Sequence, residues 1–288
     1  MPISATIVGR TLGPRSVTLS ARRIMAFAAG TEDRNPHYFD DTAAPPLAPP
    51  LLAVSLEWPL LVALRAELPG TGRDELRRGV HAAHDVTFHR LPRAGETLRS
   101  TATIVALERR PSGAGLLTRL DTIDAAGAPV FTTYNRGVYR GVELAGEPLR
   151  LDLPPPIPAA PADGGWSSTI DVPWGAAHVY TECADIWNPI HTERSAALAA
   201  GLPDIILHGT ATLGYAAQTI VDRACGGDPT RLLRLTARFG AMVFPGTSLT
   251  IHSGTPCAIE DGAAIGYRVE TADGAPAIRD GVALLRSA

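Results

Sequence analysis

The chain has 288 residues, room for two domains or one large one at roughly 100–200 residues each. Hydrophobic residues make up 45% and charged residues 19%, the balance of a chain that buries a core. A net charge of −3 argues against a nucleic-acid binder, and no apolar run nears the ~18 residues of a membrane span. Met1–Thr6 has no basic start leading into an apolar run, so no secretion signal is expected. All 26 basic residues are Arg, so an anionic ligand must be met by Arg, His or backbone N–H groups. Cys183, Cys225 and Cys257 are far apart and show no metal-ligand spacing. They read as reduced thiols of a cytoplasmic protein, with no metal expected.

Along the chain, three landmarks occur twice in the same order. An Asn-Pro turn stands at Asn35-Pro36 and again at Asn188-Pro189. An aromatic strand residue followed by a Gly turn runs from Phe88 to Gly95 and again from Phe239 to Gly246. A hairpin turn occurs at Asp124–Pro129 and again at Ala272–Pro276. Their spacings of 153, 151 and 147 residues are nearly constant, the mark of a tandem duplication of a ~145-residue unit. The copies are read as 1–150 and 166–288. Residues 151–165 between them are rich in Pro and Gly, an extended, semi-rigid linker.

The second copy reads in order as a short helix over 174–184, which the Asn-Pro turn ends because a residue before Pro leaves the α region. A long helix over about 206–225 follows. Its glycines cost helix stability, which implies close packing against a sheet. Strands are expected at 232–239, 248–255, 263–271 and 275–285. One buried helix with a run of antiparallel strands is an α+β unit.

The chemistry concentrates in Glu182-Cys183-Ala184-Asp185-Ile186-Trp187-Asn188-Pro189-Ile190-His191, followed by Ile206-Leu207-His208-Gly209. These segments resemble the MaoC-like dehydratases, also called (R)-specific enoyl-CoA hydratases or hydratase-2. The signature there is an acid, one residue, Asn-Pro-(Leu/Ile)-His, and a downstream His-Gly opening the central helix. The resemblance extends over both copies through the Phe…Pro-Gly strand starts. It implies a double hotdog fold and reversible hydration of a 2-enoyl thioester of coenzyme A or acyl carrier protein, with no cofactor.

The residues suit that reaction. His191 can take a proton from water, and a carboxylate beside it would orient both. Gly209 opens a helix where N–H groups are free and the dipole is positive, a backbone oxyanion site. Asn188 and Trp187 flank the turn as candidate substrate contacts. The sequence departs from the signature in one respect: the acid position holds Ile186, and Asp185 comes one residue early. An extra residue in the turn would bring Asp185 to His191, and Glu182 is the backup carboxylate.

The first copy reads as non-catalytic. Asp33 is in register, but Tyr38 occupies the His position and His37 is one residue out. Leu47-Ala48-Pro49-Pro50-Leu51 matches the helix start, where Pro lacks an N–H. Arg90 and Arg93 are either phosphate contacts or surface ion pairs, and Trp58 is pocket wall or core. Alternatives are a hydratase of a branched dicarboxylic acyl-CoA, favoured by a polar pocket with an extra Arg, a hotdog thioesterase, or a non-catalytic acyl-binding scaffold. Exposed outer strands are compatible with a homodimer.

Overall fold

The computed structural model describes residues 2–68 and 78–287. In the first half, strands β1 (Ile3–Ser4) and β2 (Thr11–Thr18) precede helices α1 (Ala21–Ala29), α2 (Pro36–Phe39) and α3 (Leu52–Ala66). Strands β3 (Gly79–Phe88), β4 (Thr97–Arg110), β5 (Gly113–Ile123) and β6 (Pro129–Arg140) follow, then the short β7 (Leu144–Ala145) and β8 (Leu149–Arg150). In the second half, β9 (Gly164–Asp171) leads into α4 (Ala176–Ala184), α5 (Arg194–Ala199) and α6 (Gly209–Ala224). Strands β10 (Leu232–Phe239), β11 (Ser248–Gly254), β12 (Cys257–Ile259), β13 (Gly262–Thr271) and β14 (Pro276–Arg286) complete it.

Strands β1 and β7 pair in a small parallel sheet of their own, and the other twelve form one sheet in the order β2-β4-β5-β6-β3-β10-β14-β13-β11-β9, with β8 and β12 attached at its sides. Read from the two ends the order is the same, since β3 answers β10, β6 answers β14, and β2 answers β9. The duplication is therefore a pseudo-twofold with its axis at the antiparallel β3–β10 seam, where Val86 faces Leu235 and His84 faces Ala237. This is a double hotdog, two long helices each wrapped by half of a shared antiparallel sheet.

Alternation along the seam strands separates two faces. Val86, Phe88, Leu235 and Ala237 share one continuous core with Leu52, Leu56, Leu213 and Ile220 of the two long helices. The opposite face carries Asp85 and Arg234, joined by two hydrogen bonds of 2.8 and 2.7 Å. Arg234 also donates to the carbonyls of Pro155 and Pro156, so the linker is tied across the back of the seam. The linker cannot pair as a strand at its run of prolines, and their free carbonyls find this guanidinium instead.

Local chemistry sets the helix ends. Ser20 caps α1 by accepting the Arg23 N–H at 3.2 Å. Pro59 lies inside α3 and removes the N–H that would reach the Ser55 carbonyl, and Arg23 supplies a donor to that oxygen at 3.2 Å. The glycines of α6 have two partners, not one. A Cβ on Gly209 would lie 3.2 Å from the Phe239 ring of the sheet, as expected. A Cβ on Gly214 would lie 2.9 Å from Thr31, a first-half loop residue. Close packing of the halves, and not of the sheet alone, accounts for the small residues.

Candidate active site

Helix α4 ends where Asp185 turns left-handed, at φ 56° and ψ 42°. Asp is one of the few non-Gly residues that tolerate this conformation. The N–H groups of Asp185 and Ile186 both fold back to the Thr181 carbonyl. That termination decides the register. Ile186 turns inward and is buried, while the Asp185 carboxylate is 72% exposed and lies 3.6 Å from Arg23. The expectation that an extra residue brings Asp185 onto His191 is therefore corrected: the extra residue is absorbed by the helix end and points its side chain outward. Glu182 is also exposed.

The next residues build a short turn. Asn188 caps it, its side chain accepting the Ile190 N–H at 3.5 Å, and Pro189 starts a 3-10 turn ending at His191. Trp187 stays at the surface, 60% exposed, with its indole N–H 3.4 Å from Glu193.

His191 is held by a hydrogen bond from its Nδ1–H to the Ile206 carbonyl at 2.8 Å. That bond selects the tautomer and leaves Nε2 as the bare, basic nitrogen. Burial pushes its pKa down to about 4, so the ring is neutral at physiological pH. Its face stacks on His208, with centroids 3.7 Å apart and planes 26° off parallel. His208 is buried, and its Nε2–H is 3.3 Å from both the Thr181 hydroxyl and the Ile186 carbonyl. Burial and the neighbouring His191 hold it well below the usual imidazole range. Tyr180 packs against it at 5.0 Å between ring centroids.

His208 is also the residue before α6. The N–H groups of Ala211 and Thr212 bond its carbonyl, whereas those of Gly209 and Thr210 have no hydrogen-bond acceptor among the described residues. The fold thus assembles a neutral His191, a stacked His208 and two free N–H groups at a positive helix end. Among the described residues no carboxylate is paired with either ring, and no group of residues suits a metal ion.

The first-half counterpart is built differently. Asn35 caps α2 by accepting the His37 N–H at 3.1 Å and also meets His37 Nδ1 at 2.9 Å, so that ring turns back on its own cap. The Asn35 amide donates to the Gly227 carbonyl at 2.8 Å, pinning the turn to the second half. Tyr38 is buried. Asp33 accepts the Asn35 N–H at 3.0 Å, and burial raises its pKa to about 6. At the start of α3 the Leu52 and Val54 N–H groups are already taken by the Pro49 and Leu51 carbonyls. An open groove of about 670 Å³ runs past Asp33, Asn35 and His37 to Asp222 and Asp228. Arg90 pairs with Glu96 and Asp124, and Arg93 donates to the Pro45 carbonyl, so both guanidiniums are engaged within the fold.

Sequence reasoning passed over His81 and His84 on β3 and Arg65 on α3. The available signal was the His-Ala-Ala-His spacing at 81–84, which an ordinary strand would split between two faces. A bulge between His81 and Ala83, two residues against one on β6, breaks that alternation.

The architecture defines a double hotdog protein. Residues 177–254 match the model of the MaoC-like domain, and residues 6–133 match that of the FAS1-like dehydratase domain region. The chain thus carries a MaoC-like domain in its second half and a FAS1-like dehydratase region in its first. Over 63 residues it is 44% identical to the peroxisomal enoyl-CoA hydratase 2 of Arabidopsis thaliana, a match spanning 22% of this chain and only 20% of that relative. A MaoC-like dehydratase from Phytophthora capsici superposes with a TM-score of 0.84 at 20% identity, covering 98% of this chain and 96% of that one. A Mycobacterium tuberculosis protein described as a double hotdog superposes with a TM-score of 0.63 at 17% identity, covering 96% and 95%. Among the described residues no helix is long and apolar enough to cross a membrane.

Proposed function

We propose that the chain adds water reversibly across a 2-enoyl thioester to give a 3-hydroxyacyl thioester, with coenzyme A or acyl carrier protein as the carrier. The observation that carries this reading is the neutral His191. Its tautomer is fixed by Ile206, and it stacks on the residue that opens α6 onto two unbonded N–H groups. The relative named enoyl-CoA hydratase 2 supports the substrate class.

With a substrate bound, His191 Nε2 takes a proton from water as the water oxygen bonds to C3 and the C2–C3 π electrons move onto the thioester. The Gly209 and Thr210 N–H groups stabilise the charge that develops on the thioester oxygen. The imidazolium then returns its proton to C2 as the carbonyl re-forms. The hydroxyl goes to C3 and the proton passes through His191 to C2, so both parts of water are accounted for with one residue and the exposed Asp185 is not required. Asn188 acts by holding the turn that aims His191. The first-half unit, residues 1–150, supports this site and does not turn over substrate itself.

The test is a panel of enoyl-CoA thioesters followed by loss of enoyl absorbance and, in parallel, by free-thiol release. Hydration removes the absorbance without releasing thiol. Thiol release would identify a thioesterase, and no reaction in this panel or in its acyl-carrier-protein counterpart would leave a binding protein.

A further inference from the structure

In the proposed reaction His191 becomes an imidazolium when it takes a proton from water, and a charge formed in a buried place needs a stabilising neighbour. Among the described residues no carboxylate is paired with this ring, and Asp185 and Glu182 face solvent. The Nδ1–H is already committed to the Ile206 carbonyl at 2.8 Å. What covers a face of the ring is His208, at 3.7 Å between centroids and 26° off parallel.

His208 is held so that it stays neutral there. The Thr181 hydroxyl donates to the Ala177 carbonyl at 2.9 Å, so toward His208 it can only accept. With the Ile186 carbonyl it fixes the His208 proton on Nε2, 3.3 Å from each oxygen. Nδ1 is buried and has no hydrogen-bond partner. Burial disfavours a second proton on that nitrogen, and so does the His191 ring beside it. Tyr180 also packs on His208, at 5.0 Å between centroids, and Phe27 of the first half meets Tyr180 edge-on at 6.1 Å. Aromatic packing from both halves thus holds the neutral ring against His191.

We propose that His208 is a positioning residue whose ring face, in place of a carboxylate, stabilises the positive charge that forms on His191 during the reaction. A cation within about 6 Å of an aromatic face is attracted by its π electrons, most strongly where water is excluded. The stacked pair carries one charge at a time, and it falls on His191, whose Nε2 is the open nitrogen. The inference rests on reading His191 as the base.

Two variants separate the ring from its hydrogen bond. His208→Phe keeps an aromatic face and loses the Nε2 donor. His208→Gln keeps an N–H donor for the Ile186 carbonyl and loses the ring. The first readout needs no turnover: NMR of labelled histidine follows the protonation of His191 as pH is lowered from neutrality toward its midpoint of about 4. The proton affinity of His191 should fall about tenfold in His208→Gln and stay near wild type in His208→Phe, the scale of a desolvated cation–π contact. Nitrogen shifts at neutral pH should show the Nδ1–H tautomer in all three proteins, so the ring is still held by Ile206. The second readout is kcat, which should drop about tenfold in His208→Gln at unchanged KM and stay within about threefold in His208→Phe. Equal behaviour of the two variants, a larger loss in His208→Phe, or a changed His191 tautomer in His208→Gln would each overturn the proposal and leave His208 with a structural role alone. A wild type that hydrates no thioester, with the NMR difference between the variants intact, would retain the stacked pair and discard the catalytic reading alone.

Discussion

The two Asn-Pro turns are copies of one motif put to different uses. Both begin with an Asn side chain accepting an N–H two residues on. In the second half the turn leaves His191 bonded to the Ile206 carbonyl and stacked on His208, the residue before α6. In the first half it continues into α2, buries Tyr38 and donates from Asn35 to Gly227 of the other half. The first-half turn is a clamp, and in the proposed mechanism the second-half turn is the site. Duplication within one chain permits such a division, because a copy that carries no chemistry can spend its polar groups on holding its neighbour.

The sharpest way to break the comparison is to remove the side chains at the equivalent positions. His191→Ala should lower kcat by roughly 10²–10⁴, the usual worth of a positioned general base. Tyr38→Phe should stay within about tenfold. A larger loss from Tyr38→Phe than from His191→Ala would invert the assignment. The same base sets the pH profile. His191 must be neutral to act, so activity should hold as pH falls through 6.5 and be lost only near its depressed pKa of about 4.

The seam between the halves comes next in size. Arg234→Leu leaves Asp85 on the covered back face without its partner and should cost about 3 kcal/mol or more in urea unfolding. Arg238 and Asp280 form an ion pair nearby that is about 60% exposed on both sides, and Arg238→Leu should cost no more than about 1 kcal/mol. Equal losses would mean that the linker and apolar seam, not this pair, join the halves.

Gly209→Ala tests the helix mouth. The added methyl meets the Phe239 ring at 3.2 Å, so either the ring or the helix start must shift. A loss of about tenfold in kcat, with little change in melting temperature, is expected from a displaced oxyanion donor. Full activity would remove these N–H groups from the mechanism.

Stability should respond more weakly to pH. His81, His84, His191 and His208 are all held neutral in the fold, so the unfolded chain binds more protons below about 6.5 and stability falls on acidification toward 5. Glu57, raised to about 8, and Asp33, raised to about 6, act in the opposite direction: they favour the fold while protonated and lose that contribution as pH rises through those values. With His89 also lowered and Asp222 also raised by burial, five rings stand against three carboxyls below 6.5, and Glu57 acts above it, which predicts a melting-temperature maximum close to neutrality. A monotonic rise in melting temperature on acidification would contradict the buried neutral rings. The smallest effect belongs to Asp185→Asn. The exposed, left-handed position accepts Asn, so kcat should change by less than about twofold and stability by under about 0.5 kcal/mol. A loss on the scale of His191→Ala would restore Asp185 to the site.

Some of this was legible in the chain itself because it depends on local rules. The repeat spacing foretold two copies and Asn188-Pro189 foretold a capped turn, whereas Phe88 and Phe239, expected to start strands, end β3 and β10. Motif order put His191 and Gly209 forward together, and the proposed mechanism uses both. Asp185 could not be placed, because whether a residue at a helix end turns outward depends on the left-handed termination that packing of Ile186 and Ala184 imposes. The partnership of His191 with His208 depends on two segments meeting in space, and that of His81 with His84 on a bulge that only pairing with β6 creates. Gly214 meets Thr31, 183 residues earlier, a contact no spacing rule contains. Periodicity and capping are properties of neighbours along the chain, whereas the tertiary structure decides which polar groups are left facing one another once the core has closed.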